Sequence, residues 1–317
     1  MGMAMAAGGL SHCERLPEAI LAKILALLPA QHIAGVCALV CRAWNEVAKD
    51  PALWSHLCEG SGLKPVDALR QIGGWKALFA SVYGSNLVAS PHFERLHHIE
   101  ADRLKAQVLR PWETRHRLLL DRITCLYDHS HDEYKPYCHW AAEGGSVFQR
   151  GGGDGIVREQ PPVNCPPCPA APHAPVVATS YDWGKLQQYV GLQTFSNRFL
   201  NASPPLFLSV WYAGEKNTAA LFKVKLVLRD ELKNPLYEWA SGELPAKQGE
   251  WQKFEGFIQG YPSGLRSIIV KVRAMSIPKI RGFCGAKITA VRLQFVPDSQ
   301  VRYYTQHHMG KVAYGSP

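Results

Sequence analysis

The sequence has no apolar run near the roughly 18 residues that a membrane-spanning helix needs, so no membrane span is expected. Its opening MGMAMAAGGL has no basic flank, and Ala6 stands where a myristoylation signal wants Ser or Thr. Secretion and N-terminal lipidation are therefore not expected, and the predicted location is cytoplasmic. No Gly-Lys-Ser/Thr follows the glycine-rich Gly151-Gly152-Gly153-Asp154-Gly155, and no G-x-G-x-x-G opens a helix, which removes the phosphate-cradling nucleotide folds. A G-x-S-x-G elbow is missing too. Acids such as Asp182, Asp230, Glu238, Glu250 and Glu255 have no partner acid two residues away on a shared strand face. A glycoside hydrolase needs such a convergent carboxylate pair, so neither catalysis nor a cofactor is expected. Nine cysteines, an odd number without a secretory signal, argue against a disulfide framework. The chain has a single C-x-x-C, Cys165-Pro166-Pro167-Cys168, with Cys138-His139 and His129-x-His131 upstream. Structural zinc is usually gripped by two such knuckles, so unpaired thiols in a loop are expected and no metal.

Acid is scarcest near the end. The formal charge of the 317 residues is +9, and from Ser263 onward nine Lys or Arg face one acid, Asp298. That balance fits either affinity for a polyanion or basic residues on the solvated face of alternating strands. Tyr303, Tyr304 and Arg302 beside His307-His308 could stack on bases, but a tail of this kind is read as solvated, and nucleic acid is not among the expected partners.

What is present in excess is apolar helix. In Leu16 to Cys58, Leu16-Pro17 opens a segment in which Ile20, Leu21, Ile24, Leu25 and Leu28 recur at helical spacing, closed by Pro29. Ile33, Val36, Cys37, Val40, Trp44 and Val47 continue the period until Asp50-Pro51, followed by Leu53-Trp54. These 43 residues hold more large apolar side chains than one small core absorbs, so a surplus should face a partner. Leu16-Pro17, Ile24-Leu25, Leu28-Pro29, Val40-Cys41-Arg42, Trp44, Asp50-Pro51 and Leu53-Trp54, in that order, resemble the F-box. The resemblance implies docking on a Skp-type adaptor and, through it, on a cullin-RING ubiquitin ligase. The residues assigned to that docking are Leu16, Pro17, Ile20, Leu21, Ile24, Leu25, Leu28, Pro29, Val40 and Trp44, supported by Trp54.

The chain reads as a flexible 1–15, the helical unit 16–60, a linker region 61–83 with a short amphipathic helix, a β domain over 84–297, and a loose basic tail 298–317. Within the β domain, 95–137 has helical spacing and reads as an insertion, while 145–175 reads as a Pro/Gly-rich loop. From Val176 to Pro297, β-rich runs alternate with turn signals, as at Phe222-Val224-Leu226 and Val291-Leu293-Phe295, which predicts an antiparallel sandwich. The fold class is α+β multidomain.

A second resemblance rests on Asn86-Leu87, Ser180-Tyr181, Trp183, Gln188, Leu192, Trp211-Tyr212-Ala213, Trp251, Phe257, Tyr261-Pro262, Gly264, Arg266 and Gly282-Phe283-Cys284-Gly285-Ala286-Lys287-Ile288-Thr289. In this order they resemble the F-box-associated (FBA) domain, a jelly-roll-like sandwich of F-box proteins that recognise high-mannose glycans on misfolded glycoproteins; the family pattern lacks the 95–137 insertion. The resemblance implies a substrate-recognition subunit of a Skp-cullin-F-box (SCF) ligase serving proteasomal or ER-associated degradation, with a protein or glycoprotein substrate. A stand-alone carbohydrate- or peptide-binding module is the alternative. Sugar binding needs an aromatic platform and a carboxylate acceptor. Val210 stands where the resemblance wants Asp, and Lys279-Ile280 where it wants Tyr-Trp, with Arg281 keeping the following basic position. Trp211, Tyr212, Lys279, Ile280, Arg281 and Phe283 are the candidate substrate contacts.

Overall fold

The structure, a computed structural model, describes residues 16–28, 30–60, 63, 74–98, 140–143, 155–279, 282–307 and 313–314. The expectations for 1–15, for most of the linker before Gly74, for the body of the 95–137 insertion and for Pro29, Ile280 and Arg281 lie outside the described residues. Two compact units emerge, residues 1–85 with 295–310 and residues 86–294 with 311–317.

The first unit is helical. α1 (Glu18–Ala26) starts where the Pro17 carbonyl accepts the amides of Ile20 and Leu21 at 2.9 and 3.0 Å. α2 (Ala30–Gly35) and a 3-10 turn (Cys37–Leu39) lead into α3 (Arg42–Lys49). The Asp50 carboxylate accepts the Ala52 amide at 2.8 Å ahead of α4 (Pro51–Gly60), so the Asp-Pro pair breaks one helix and caps the next. α5 (Trp75–Tyr83) closes the core edge-on, with Phe79 at 5.7 Å from the Trp54 ring and 4.7 Å from Tyr83. Leu21, Leu25, Ile33, Val47, Leu53, Trp54 and Cys58 are buried together with them.

The second unit is a two-sheet sandwich. The strands are β1 (Leu96–His98), β2 (Trp140–Glu143), β3 (Ile156–Glu159), β4 (Val176–Thr179), β5 (Gly184–Gly191), β6 (Leu206–Ala213), β7 (Ala220–Arg229), β8 (Pro235–Ala240), β9 (Leu244–Ala246), β10 (Gln252–Ile258), β11 (Ser267–Ser276), β12 (Lys287–Phe295) and β13 (Ala313–Tyr314). A short helix, α6 (Asn197–Asn201), precedes β6, and α7 (Asp298–His307) follows β12 in the helical unit. One sheet runs β1-β2-β5-β11-β7-β8 with β9 also on β7, and the other β13-β10-β6-β12-β4-β3. Pairing is antiparallel for β2–β5, β5–β11, β11–β7 and β7–β8 in one sheet and for β10–β6, β12–β4 and β4–β3 in the other, while β1–β2 and β10–β13 are parallel. The sheets meet face to face: Tyr212 of β6 stacks on Phe222 of β7 at 4.3 Å and 12°, and Trp239 of β8 packs on Phe254 of β10. Gly256 makes room there, since a Cβ on it would sit 3.1 Å from the Trp239 ring.

The jelly-roll-like antiparallel sandwich matches the sequence reading, but several elements differ in detail. Ile156–Glu159 forms a strand along β4 inside the stretch read as loop, because β-branched Ile156-Val157 supplies strand propensity despite the flanking glycines and prolines. The described flanks of the 95–137 insertion are strands, with the Trp140 indole donating to the Ser90 carbonyl at 3.0 Å and packing on Phe93. Pro235 opens β8 at a sheet edge, where a missing N–H costs little. Asp298–His307 is helical where a loose tail was expected, with Pro297 accepting the Gln300 amide at 3.0 Å and Asp298 in its first turn.

Candidate functional site

In α1 the buried stripe and a second apolar stripe run side by side. Leu21 and Leu25 turn into the unit's own core at 1% and 0% exposure, whereas Ile20 is 49%, Ile24 39% and Leu27 79% exposed. A helix apolar on two sides needs two partners, and this unit supplies one. Leu39 and Val40 at the end of the 3-10 turn are also exposed, as are Leu16 and Val36. Of the residues assigned to docking, Leu16, Pro17, Ile20, Ile24 and Val40 are thus exposed and Leu28 half-buried, while Leu21, Leu25 and Trp54 sit in the core. The Trp54 indole donates to the Ala48 carbonyl at 2.9 Å. Trp44 is half-buried, and its indole N–H has no partner among the described residues. Leu27, Val36 and Leu39 are exposed too and stand outside that assignment, although Ile20, Ile24 and Leu27 already lie at i, i+4 and i+7.

In the sandwich, the residues that carry the FBA resemblance are largely structural polar anchors. Asn86 accepts the Leu293 amide at 2.9 Å and donates to the Val291 carbonyl at 3.0 Å, extending the ladder of β12. The buried Gln188 exchanges two 2.9 Å bonds with the Ala89 backbone, and the Tyr261 hydroxyl donates to the Pro204 carbonyl. The Trp251 indole donates to Pro166 at 2.6 Å, holding the 160–175 segment over the β6 side of the sheet. Gly285 is required by close approach: its amide donates to the Thr179 carbonyl at 2.7 Å, and a Cβ would lie 2.3 Å from the Thr179 hydroxyl. Lys287, 1% exposed, pairs with Glu159 at 2.8 Å.

Of the candidate substrate contacts, Trp211 and Tyr212 do not share a face. Trp211 and Tyr212 are neighbours on a strand, so they take opposite faces. Tyr212 points inward onto Phe222, while Trp211 is half-buried against the cluster of Cys168, Val176, Ala213 and Trp251. Val210 is fully buried. Lys279 is exposed in the loop after β11, which is anchored by the Ser276 amide on Ser180 and the Ile277 amide on Ala219, at 2.9 and 2.8 Å. Phe283 is half-buried, and Ile280 and Arg281 lie outside the described residues. Glu215, which the sequence reading overlooked, is 7% exposed and takes the Asn164 amide at 2.6 Å. Burial pushes the Cys165 thiol up to about 11, and Cys168 and Cys284 upward too, so all three are neutral near pH 7. Cys168 packs as a small hydrophobe with Val176, Ala213 and Trp251. Among the described residues no three His, Cys, Asp or Glu are placed to hold a metal ion, and Cys138, His139, His129 and His131 lie outside them.

A helical unit with a surplus apolar stripe and a jelly-roll-like sandwich define a chain of two unlike parts. Residues 13–60 match the F-box-like family, and the chain is 25% identical over 295 residues to F-box only protein 2 of Bos taurus, covering 89% of this chain and 83% of that one. The chain thus carries an F-box-like segment at residues 13–60 and, along most of its length, is similar to an F-box only protein. Among solved structures it is similar to the xylan-binding domain of a Paenibacillus barcinonensis protein, at 12% identity and a TM-score of 0.32 over 50% of this chain and 86% of that one. A family 22 carbohydrate-binding module of Clostridium thermocellum matches at 13% and 0.32, over 50% and 85%. Those values are too low to carry a ligand across.

Proposed function

We propose that the chain is the substrate-recognition subunit of an SCF-type E3 ubiquitin ligase. Its helical unit docks on a Skp-type adaptor, and its sandwich captures a protein or glycoprotein and presents it for ubiquitination. The observation that carries this reading is the second apolar stripe of α1, with Ile20, Ile24 and Leu27 exposed beside Leu39 and Val40. Large apolar side chains left in water stabilise nothing within the unit and gain about 1.5–3 kcal/mol each when fully covered. Leu16, Pro17, Leu28, Pro29 and Trp44 belong to the same proposed face, with Leu21, Leu25 and Trp54 holding its backbone in place.

The chain contributes no chemistry of its own. It raises the effective concentration of the target near the ubiquitin thioester, a gain of proximity. Substrates of proteasomal and ER-associated degradation, met in the cytoplasm, complete the reading. Lys279, Ile280, Arg281, Trp211 and Phe283 are the proposed contacts, with Tyr212 supporting β6 from within. A glycan would have to be read without the Asp and Tyr-Trp that Val210 and Lys279-Ile280 replace.

Affinity purification of the tagged full-length chain, with proteasome and cullin activation blocked, tests this. Adaptor and cullin should co-purify, and Ile20→Glu with Ile24→Lys should weaken adaptor binding about a hundredfold or more. Loss of bound glycoproteins after glycosidase treatment would assign glycans as the recognised feature. Wild-type chain that recovers no adaptor overturns the reading and leaves the stand-alone module.

A further inference from the structure

The sheet that carries β5, β11 and β7 has two unlike faces. On β7, Phe222, Val224, Leu226 and Leu228 are buried in the sandwich, and the intervening Lys223 and Lys225 stand on the other face with Arg229. β11 repeats the pattern with Ile268, Val270, Val272 and Ala274 inside and Lys271 and Arg273 between them. Register turns this alternation into rows. Arg273 lies opposite Lys223 on one side and Lys185 on the other, Lys271 lies opposite Lys225, and Ser267 lies opposite Arg229. Six cations on three adjacent strands thus share one face.

Adjacent strands are about 4.8 Å apart and alternate residues along a strand about 6.7 Å, so these charges are close enough to disfavour one another. The Lys271 ammonium is accordingly held below its ordinary pKa, first by burial and then by Lys225, Arg273 and Arg229. The Nε of Arg229 is buried without a hydrogen-bond partner. Among the described residues, three acids already lie on the rim: Glu238 pairs with Lys225 at 2.6 Å, Glu243 pairs with Lys223 at 2.8 Å, and Glu143 of β2 stands opposite Lys185 in the register. Among the described residues, Lys271, Arg273 and Arg229 form no ion pair.

We propose that this face docks an extended acidic segment of a protein partner, its carboxylates at alternate residues running along β11. The proposal rests on the ligase reading, in which the segment belongs to the substrate. An extended chain places alternate side chains about 6.7 Å apart, the same interval that separates Lys271 from Arg273 and Lys223 from Lys225. Glu238 and Glu243 show that carboxylates seat here at charge-assisted hydrogen-bond distance. Single-stranded nucleic acid fits less well, because it wants successive aromatic platforms. The ring of Trp183 is covered by Lys223 at 3.7 Å, and among the described residues of β5, β7 and β11 the other aromatic side chain on that face is Tyr189.

The test is fluorescence anisotropy of a fluorescein-labelled peptide of alternating Glu and Val with the full-length chain. Binding should weaken steeply as salt is raised. Lys271→Gln with Arg273→Gln should weaken it about tenfold. Glu238→Gln with Glu243→Gln, which frees Lys225 and Lys223, should tighten it several-fold, a gain that a misfolded chain does not produce. Three results overturn the proposal: no binding of the Glu-Val peptide, equal binding of a Lys-Val peptide, or tighter binding of labelled oligothymidylate with the same residue dependence, which would assign the face to nucleic acid. Adaptor capture, measured in parallel, reads the helical unit alone. Its failure with intact peptide binding overturns the ligase role and leaves the acidic-segment site standing.

Discussion

The helical unit and the sandwich handle apolar surface in opposite ways. Among the described residues, the exposed large hydrophobics include Leu16, Ile20, Ile24, Leu27, Val36, Leu39 and Val40 in the helical unit, against Val163, Leu232 and Ile277 in the sandwich. The sandwich closes its core with two facing sheets and even takes charge inside, as with Lys287 and Glu159. The helical unit has too few residues to cover both sides of α1, so one stripe stays in water. One unit is therefore finished as a fold and offers a charged face, while the other presents an apolar stripe that a partner would complete. Substitutions at matched positions should separate finished from unfinished core.

The largest effect is expected at the buried pair. Lys287→Met leaves the Glu159 carboxylate in a site where it is 10% exposed and without its cation. Breaking a buried pair on one side costs about 3–5 kcal/mol, so the sandwich should melt well before the wild type. Lys287→Met with Glu159→Gln should recover much of the loss, since the stranded charge is gone. Thermal or urea denaturation followed by Trp fluorescence checks both, and equal losses for the single and double variants would show that the pair is not what matters.

The next effect belongs to pH and to the helical unit. Burial, and then the neighbouring Glu59, push the Cys58 thiol up from 9.0 to about 12. Below pH 9 the thiol is protonated in both folded and unfolded chains and contributes no pH dependence. Between about pH 9 and 12 the unfolded chain releases this proton and the folded chain keeps it, so stability falls as pH rises. Cys58→Ala should weaken the unit through its cavity yet flatten that alkaline slope. Denaturation of the two chains across that range checks it, and parallel slopes would place the titration elsewhere.

Much of this architecture was legible in the residues, and the failures share a physical cause. The 3.6 period of α1 and the alternation of β7, β11 and β12 are local, and they placed helix and strand. Trp211 and Tyr212 stand side by side among the candidate contacts, but a strand's period of two sends them to opposite faces. What lies over each face, Phe222 for one and Cys168 with Trp251 for the other, depends on partners far along the chain. Of the basic residues counted from Ser263 onward Arg273 is one, and only register set it in a row with Lys185 and Lys223. Asn86, Gln188 and Gly285 stood out by resemblance alone, while their roles as backbone mimic and close-contact glycine needed the ladder beside them.

The smallest effect is the most telling for the comparison. Ile20→Glu with Ile24→Lys replaces two exposed side chains of α1, 49% and 39% exposed, with a Glu-Lys pair at i, i+4 in the orientation that suits a helix. The acid falls nearer the N-terminus and the base nearer the C-terminus, which the helix dipole also favours. No buried contact of Leu21 or Leu25 is disturbed, so the stability of the helical unit should change by no more than about 0.5 kcal/mol. Leu25→Ala, one position along the same helix but fully buried, should cost about 2–5 kcal/mol. The outward pair would thus bear on docking and hardly on folding, and the inward residue on both. If the outward double variant melts as early as Leu25→Ala, the exposed stripe is part of the unit's own core after all, and it is not free to meet an adaptor.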